Sequence, residues 1–202
     1  MLKFKIGNKD YNLKNKWEDI SMKDWITIQK LDRNKNLYMD ELYTIKVFEA
    51  LTDATEDELM DLELDTLNKI ISNIKFLTEP IPKRNNKKIK VGDIYYMFVG
   101  NLNKLTMGEV ISIKTFQENV KDEFESMMLM MAILVRPVKV EEGKDVIERF
   151  DGATVKSRSE YLLEAKLIDL NHFLVFFFNG NLNSGMLATK NSSEVAQEVV
   201  VK

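Results

Sequence analysis

The chain has 202 residues, 45% hydrophobic and 30% charged, with a formal net charge of −3. That length buries a sizeable core in one or two domains, and that composition belongs to a globular and not a disordered chain. The lack of cysteine excludes disulfides and thiolate chemistry, the single histidine excludes histidine-rich metal sites, and the small negative charge gives no bulk pull toward nucleic acid or acidic membranes.

The first stretch, "KFKIGNKDYNL" at Lys3–Leu13, alternates charged and apolar residues around Gly7-Asn8 and predicts a β-hairpin. Nothing in it resembles the apolar core of a signal peptide. A capped helix follows. Ser21 and Asp24 form a capping box, Ile20 staples onto Trp25, and Met22, Trp25, Ile26, Ile28 and Leu31 supply an apolar face. A second helix carries Leu42, Ile45 and Phe48. Thr55 and Glu58 cap a short third helix to about Asp61. A fourth is predicted over 65–77, with Leu67, Ile70, Ile71, Ile74 and Leu77 inward. Pro80 and Pro82 stop it, and the polar stretch to Lys88 reads as a linker.

Beyond the linker the pattern returns at an offset of 85 residues. "KIKVGDIYYMF" at Lys88–Phe98 places Gly92 on Gly7 and Tyr96 on Tyr11. Thr106 and Glu109 form another capping box, with Leu105 stapling onto Val110. Met107, Val110, Ile111, Ile113 and Phe116 match the first apolar face, and Met127, Met130 and Ile133 match Leu42, Ile45 and Phe48. A constant offset through hairpin, cap and two helices predicts an internal duplication. Pro137 is expected to end the Met-rich helix, and 140–160 to be a polar loop with one short helix. A last helix is expected over 161–179, followed from Met186 by a mobile tail that a partner could order.

The expected fold class is therefore α+β and predominantly α-helical. Two tandem β-hairpin–helix–helix units are followed by a C-terminal helix and a mobile tail. The expected divisions are 1–82, 83–137, 138–185 and 186–202.

Little in the sequence suggests catalysis. Asp32, Asn34 and Asn36 have the spacing of a calcium loop, but Leu37 and Tyr43 stand where such a loop needs Gly and Glu. The acidic run Asp53, Glu56, Asp57, Glu58, Asp61, Glu63 and Asp65 suits helix N-termini. The basic run Lys83, Arg84, Lys87, Lys88 and Lys90 offers phosphate contacts but has no interleaved aromatics for base stacking. His172 has Asp169 one turn upstream, yet neither a Gly-x-Ser-x-Gly elbow nor a phosphate-binding glycine loop accompanies it. No catalytic residue, metal or organic cofactor is expected.

"FLVFFF" at Phe173–Phe178 is the longest apolar run, far short of the roughly 20 residues that span a bilayer. Four phenylalanines make a helix that is apolar all round, which serves either as core or as a protein interface. Core is the default, and the scarcity of covering helices after Pro137 keeps the interface open, with Phe173, Phe176, Phe177 and Phe178 as its contact residues.

"NKWEDISMKDWITIQKL", a following helix, and then "LTDATEDELMDLELDTLNKIISNIKFL" together resemble small tailed-bacteriophage proteins of the virion and tail assembly. The resemblance lies in Trp17, Ser21, Trp25, Leu31, Leu51, Thr52, Thr55, Asp57, Glu58 and Leu59, within about the first 80 residues, with an echo at Leu105–Phe116. It implies a non-enzymatic component that binds other phage structural proteins in a multi-subunit tail or neck assembly, in the virion or the host cytoplasm. It carries over no catalytic residue; the composition separately argues against a membrane partner and disfavours nucleic acid. The alternative is an intracellular regulatory adaptor touching nucleic acid through residues 83–90.

Overall fold

In the computed structural model, which describes residues 1–84, 86–100 and 102–178 and the side chains of all but 176–178, the chain opens on a hairpin. Strand β1 (Leu2–Ile6) pairs antiparallel with β2 (Lys9–Leu13), and Gly7 takes the φ of +57° that the tight turn requires. A 3-10 turn at Trp17–Asp19 leads to α1 (Met22–Arg33). The Ser21 N–H donates to Asp24 Oδ2 at 2.8 Å and the Asp24 N–H to Ser21 Oγ at 3.2 Å, so the expected capping box is present. Helices α2 (Asp40–Leu51), α3 (Glu56–Met60) and α4 (Leu64–Ile71) follow.

The fourth helix is shorter than expected. From Ser72 to Thr78 the chain tightens to a 3-10 helix. Ser72 Oγ and Asn73 Nδ2 both donate to the Lys69 carbonyl, at 2.7 and 2.9 Å, so side chains compete for a backbone acceptor where the α-helix stops.

The described chain divides into two compact units, residues 1–82 with 166–168, and residues 83–165 with 169–178. The core of the first unit holds Leu13, Ile20, Met22, Phe48, Leu51 and Leu59, all essentially without exposure. Each such burial stabilises by about 1.5–3 kcal/mol before entropy is counted. The Lys14 N–H donates to the Leu51 carbonyl at 2.9 Å and ties the hairpin to the end of α2. Residues 166–168 join this unit through backbone: Lys166 bridges Ser21, and the Leu167 N–H donates to the Ile20 carbonyl at 2.9 Å.

The second unit begins with the hairpin β3 (Lys88–Val91) and β4 (Ile94–Phe98), followed by α5 (Met107–Asn119) and α6 (Glu123–Leu134). Strands β5 (Val135–Glu141) and β6 (Lys144–Ile147) complete an antiparallel sheet of order β3-β4-β5-β6. From Met127 on helix α6 is apolar on every side, and Phe124, Met127, Met128, Leu129, Met131, Ala132, Ile133 and Leu134 are all buried. It packs against α5 and against α7 (Val155–Leu163). Helix α8 (Leu167–Phe178) is the last described element.

Three expectations for this region are corrected. Pro137 does not end α6, which stops at Leu134; it sits inside β5 opposite Tyr96, and its carbonyl accepts the Glu148 N–H at 2.8 Å. Residues 140–147 belong to a hairpin and not a loop, because Glu142 and Gly143 both adopt positive φ, 49° and 74°, as a two-residue hairpin turn of this kind demands. The helix expected over 161–179 is two helices, interrupted at Glu164–Lys166 where the chain makes its backbone contacts with Ile20 and Ser21. The tail from Met186 lies outside the described residues.

Candidate functional site

Helix α8 turns Leu167, Ile168, Leu170, Phe173 and Leu174 into the protein, a helical spacing that makes a buried stripe. Phe173 is 4% exposed, and its ring centroid lies 5.0 Å from that of Phe98. Phe173 is thus a core residue, not the exposed contact expected of it. The side chains of Phe176, Phe177 and Phe178 lie outside the described residues. His172 is exposed, while Asp169 accepts from Asn86 Nδ2 at 2.7 Å and faces Arg84 Nη1 at 3.5 Å. That carboxylate holds the linker.

The basic run is partly neutralised. Arg84 meets Asp169, Lys88 pairs with Asp145, and Lys90 approaches Asp93 at 4.0 Å. The hairpin does supply an aromatic that the linear sequence hides: Tyr95 lies opposite Lys90, is 49% exposed, and has the Nζ atoms of Lys88 and Lys90 each 5.9 Å from its ring centroid.

Three of the acidic run, Asp53, Glu56 and Glu58, are engaged internally. Asp53 accepts the Asn12 N–H at 2.9 Å, which holds its carboxyl below the usual range, and Glu56 pairs with Lys46. Glu58 accepts from Lys9 Nζ at 2.7 Å and from the Thr55 N–H at 3.0 Å, and its pKa falls to about 2, chiefly through Lys9. At the apparent calcium loop, Asp32 instead accepts the Tyr43 hydroxyl, whose pKa is raised by burial first and by that carboxylate second. Among the described residues no group of three or more His, Cys, Asp or Glu is placed to hold a metal ion.

Sequence reasoning missed a buried cluster in the second unit. Glu109 closes the capping box of α5 and faces Arg136 Nη2 at 3.0 Å. Arg158 donates from Nη1 to the Ala132 carbonyl and from Nη2 to Thr154 Oγ1, both at 2.9 Å. A cation on the last turn of α6 complements the helix dipole, although burial lowers the Arg158 pKa. Helices α5, α6 and α7 and strand β5 bring these residues together, so no spacing in the sequence announces them. Glu109 in its cap and Arg158 on the end of α6 are engaged structurally, while the buried Arg136 Nε has no hydrogen-bond partner among the described residues.

Several large apolar side chains also stand exposed. On α5, Met107 is 73% and Ile111 57% exposed, one turn apart on one side of the helix. Leu37 and Met39, between α1 and α2, are also exposed. These side chains offer surface for binding another protein and no group for chemistry. Compared with protein-family models, curated proteins and solved structures, the chain has no match.

Proposed function

We propose that this chain is a non-enzymatic bacteriophage structural or tail-assembly protein, built from a duplicated hairpin–helix–helix unit and acting through protein–protein contacts. The resemblance at Trp17–Leu59 supplies the phage assignment, and the exposed apolar side of α5 is the observation that carries the binding role.

The duplication rests on internal geometry. Moved by 85 residues, the register Lys3↔Asn12 to Ile6↔Lys9 falls on Lys88↔Met97 to Val91↔Ile94. The 3-10 turn Trp17–Asp19 falls on Leu102–Lys104, and the capping box of α1 on that of α5. Helix α2 then corresponds to α6 at an offset of 83 and not 85, because the α5–α6 connection is shorter than the α1–α2 one. Buried Ile45, Phe48 and Leu51 thereby match buried Met128, Met131 and Leu134. The hydrogen bond from the Lys14 N–H to the Leu51 carbonyl has its counterpart from the Val99 N–H to the Leu134 carbonyl, at 2.8 Å.

Mass spectrometry of purified particles and of their assembly intermediates tests the reading. Peptides of this chain in either fraction support it, and peptides only in the unassembled fraction oppose it. The second reading, a regulatory adaptor with a nucleic-acid contact at 83–90, is favoured by Tyr95 standing beside Lys88 and Lys90. Salt-dependent binding of single-stranded DNA that is lost in Tyr95→Ala would select it.

A further inference from the structure

Helices α7 and α8 are interrupted at Glu164–Lys166, and nothing local interrupts them. From Val155 to Phe178 the sequence contains neither glycine nor proline. The residues at the break, Glu164, Ala165 and Lys166, are of types that rank among the strongest helix formers. None of Leu163–Leu167 takes the positive φ that closes many helices. The apolar spacing also runs through the break in phase. Leu163, Leu167, Leu170 and Leu174 recur at intervals of four, three and four, which is one side of a continuous helix.

The cause of the break is remote. A continuous helix would bring the Leu167 N–H to the Leu163 carbonyl. That N–H instead donates to the Ile20 carbonyl at 2.9 Å, beside the antiparallel bridge between Ser21 and Lys166. The end of α7 tightens here, with the Glu164 N–H donating to the Tyr161 carbonyl and the Ala165 N–H to the Leu162 carbonyl, each at 3.1 Å. The Lys166 N–H donates to no backbone carbonyl among the described residues. Two arrangements of one sequence therefore compete for the same donors. In the one observed, Lys166–Ile168 belong to the first unit, and Leu167 and Ile168 are buried. In the other, Glu164–Lys166 are helical, and each N–H over 166–170 returns to the carbonyl four residues back.

We propose that the α7–α8 junction is a conformational switch that the first unit holds in its broken form. When Lys166–Ile168 leave Ile20 and Ser21, α7 and α8 join into one helix over Val155–Phe178. Joining redirects α8 relative to α7. The state of one backbone contact near the start of the chain thus sets the direction of a helix more than 140 residues away in sequence. Burial of Leu167 and Ile168 favours the broken form, while the added helical hydrogen bonds and the Glu-Ala-Lys propensity favour joining. The joined helix is accordingly a minor state of the free chain, of about 0.1–10%. This inference goes beyond the assembly reading and does not depend on it.

Chemical-exchange saturation transfer NMR on the Cα carbons of the full chain tests it. In the wild type a minor state is expected at Glu164, Ala165 and Lys166 with helical Cα shifts. Leu167→Ala removes a buried side chain from the broken form and keeps a strong helix former, so it should raise the minor population about tenfold or more. Lys166→Pro removes an N–H that has no backbone partner in the broken form but breaks the interior of a joined helix, so it should erase the exchange. The chain has no cysteine, so Ser21→Cys with Lys166→Cys places a single reversible staple across the bridge. Exchange should vanish when the staple is oxidised and return when it is reduced. Minor-state shifts at random-coil values would reveal local unfolding and overturn the switch, as would exchange that persists in the oxidised staple. If either single variant fails to fold, the wild type and the staple decide alone, and absence of exchange from both the wild type and the reduced staple overturns the switch.

Discussion

Arg136 Nη2 lies 3.0 Å from Glu109 Oε1, and the two side chains are 10% and 2% exposed. The same carboxylate accepts from Thr106 Oγ1 at 2.7 Å, so one buried acid joins the start of α5 to strand β5. Arg136→Met would leave that charge buried and unpaired, at a cost of about 3–5 kcal/mol. Adding Glu109→Gln should restore much of the loss, because the uncompensated charge disappears with it. Urea titration of the single and double variants checks this, and a double variant as unstable as Arg136→Met would contradict it.

The two capping boxes give a smaller, matched pair of effects. Ser21→Ala and Thr106→Ala each remove the acceptor of an N-terminal N–H, at Asp24 and Glu109 respectively. Each should cost about 1 kcal/mol in denaturant unfolding. A neutral result at either site would mean that the cap is not formed in solution.

Glu58 sets a pH dependence. Its pKa is lowered from 4.5 to about 2, with the hydrogen bond from Lys9 as the largest cause. A depressed carboxyl pKa stabilises the fold above the unfolded value, so this contribution is complete above about pH 4.5 and fades as the pH falls toward 2. Lys9→Ala should raise the Glu58 midpoint, read from its carboxyl carbon shift in an NMR titration. An unmoved midpoint would remove Lys9 as the cause.

Phe173 and its neighbour separate core from surface. Phe173→Ala should destabilise by about 3–5 kcal/mol, since the ring is buried against Phe98. His172→Ala, on the exposed side of the same helix, should fall within about 0.5 kcal/mol. Comparable losses from both would place α8 differently.

Local rules made the first two-thirds of the chain readable. Gly7 and Gly92 mark turns through their positive φ, and Ser21, Thr55 and Thr106 mark helix starts through caps that involve residues only three apart. The β5–β6 hairpin escaped because its turn is Glu142-Gly143, lacking the Asn or Asp that usually signals positive φ at the first position. The break between α7 and α8 escaped because its cause, the backbone bond from Leu167 to Ile20, spans almost the whole chain. The aromatic run misled for a related reason: burial of Phe173 depends on Phe98, which no periodicity within α8 can announce. The exposed side of α5 stands out beside α1, since Met22 and Met107 are the same residue type at the first position after a capping box and only Met22 is buried.

Density-gradient sedimentation of a lysate in which the phage assembles, followed by quantitative mass spectrometry, tests the central claim most directly. The 23.5 kDa chain should migrate with particles or assembly intermediates, and Ile111→Asp should shift it toward the free position while leaving its melt unchanged. Wild-type chain found only at the free position would contradict an assembly role.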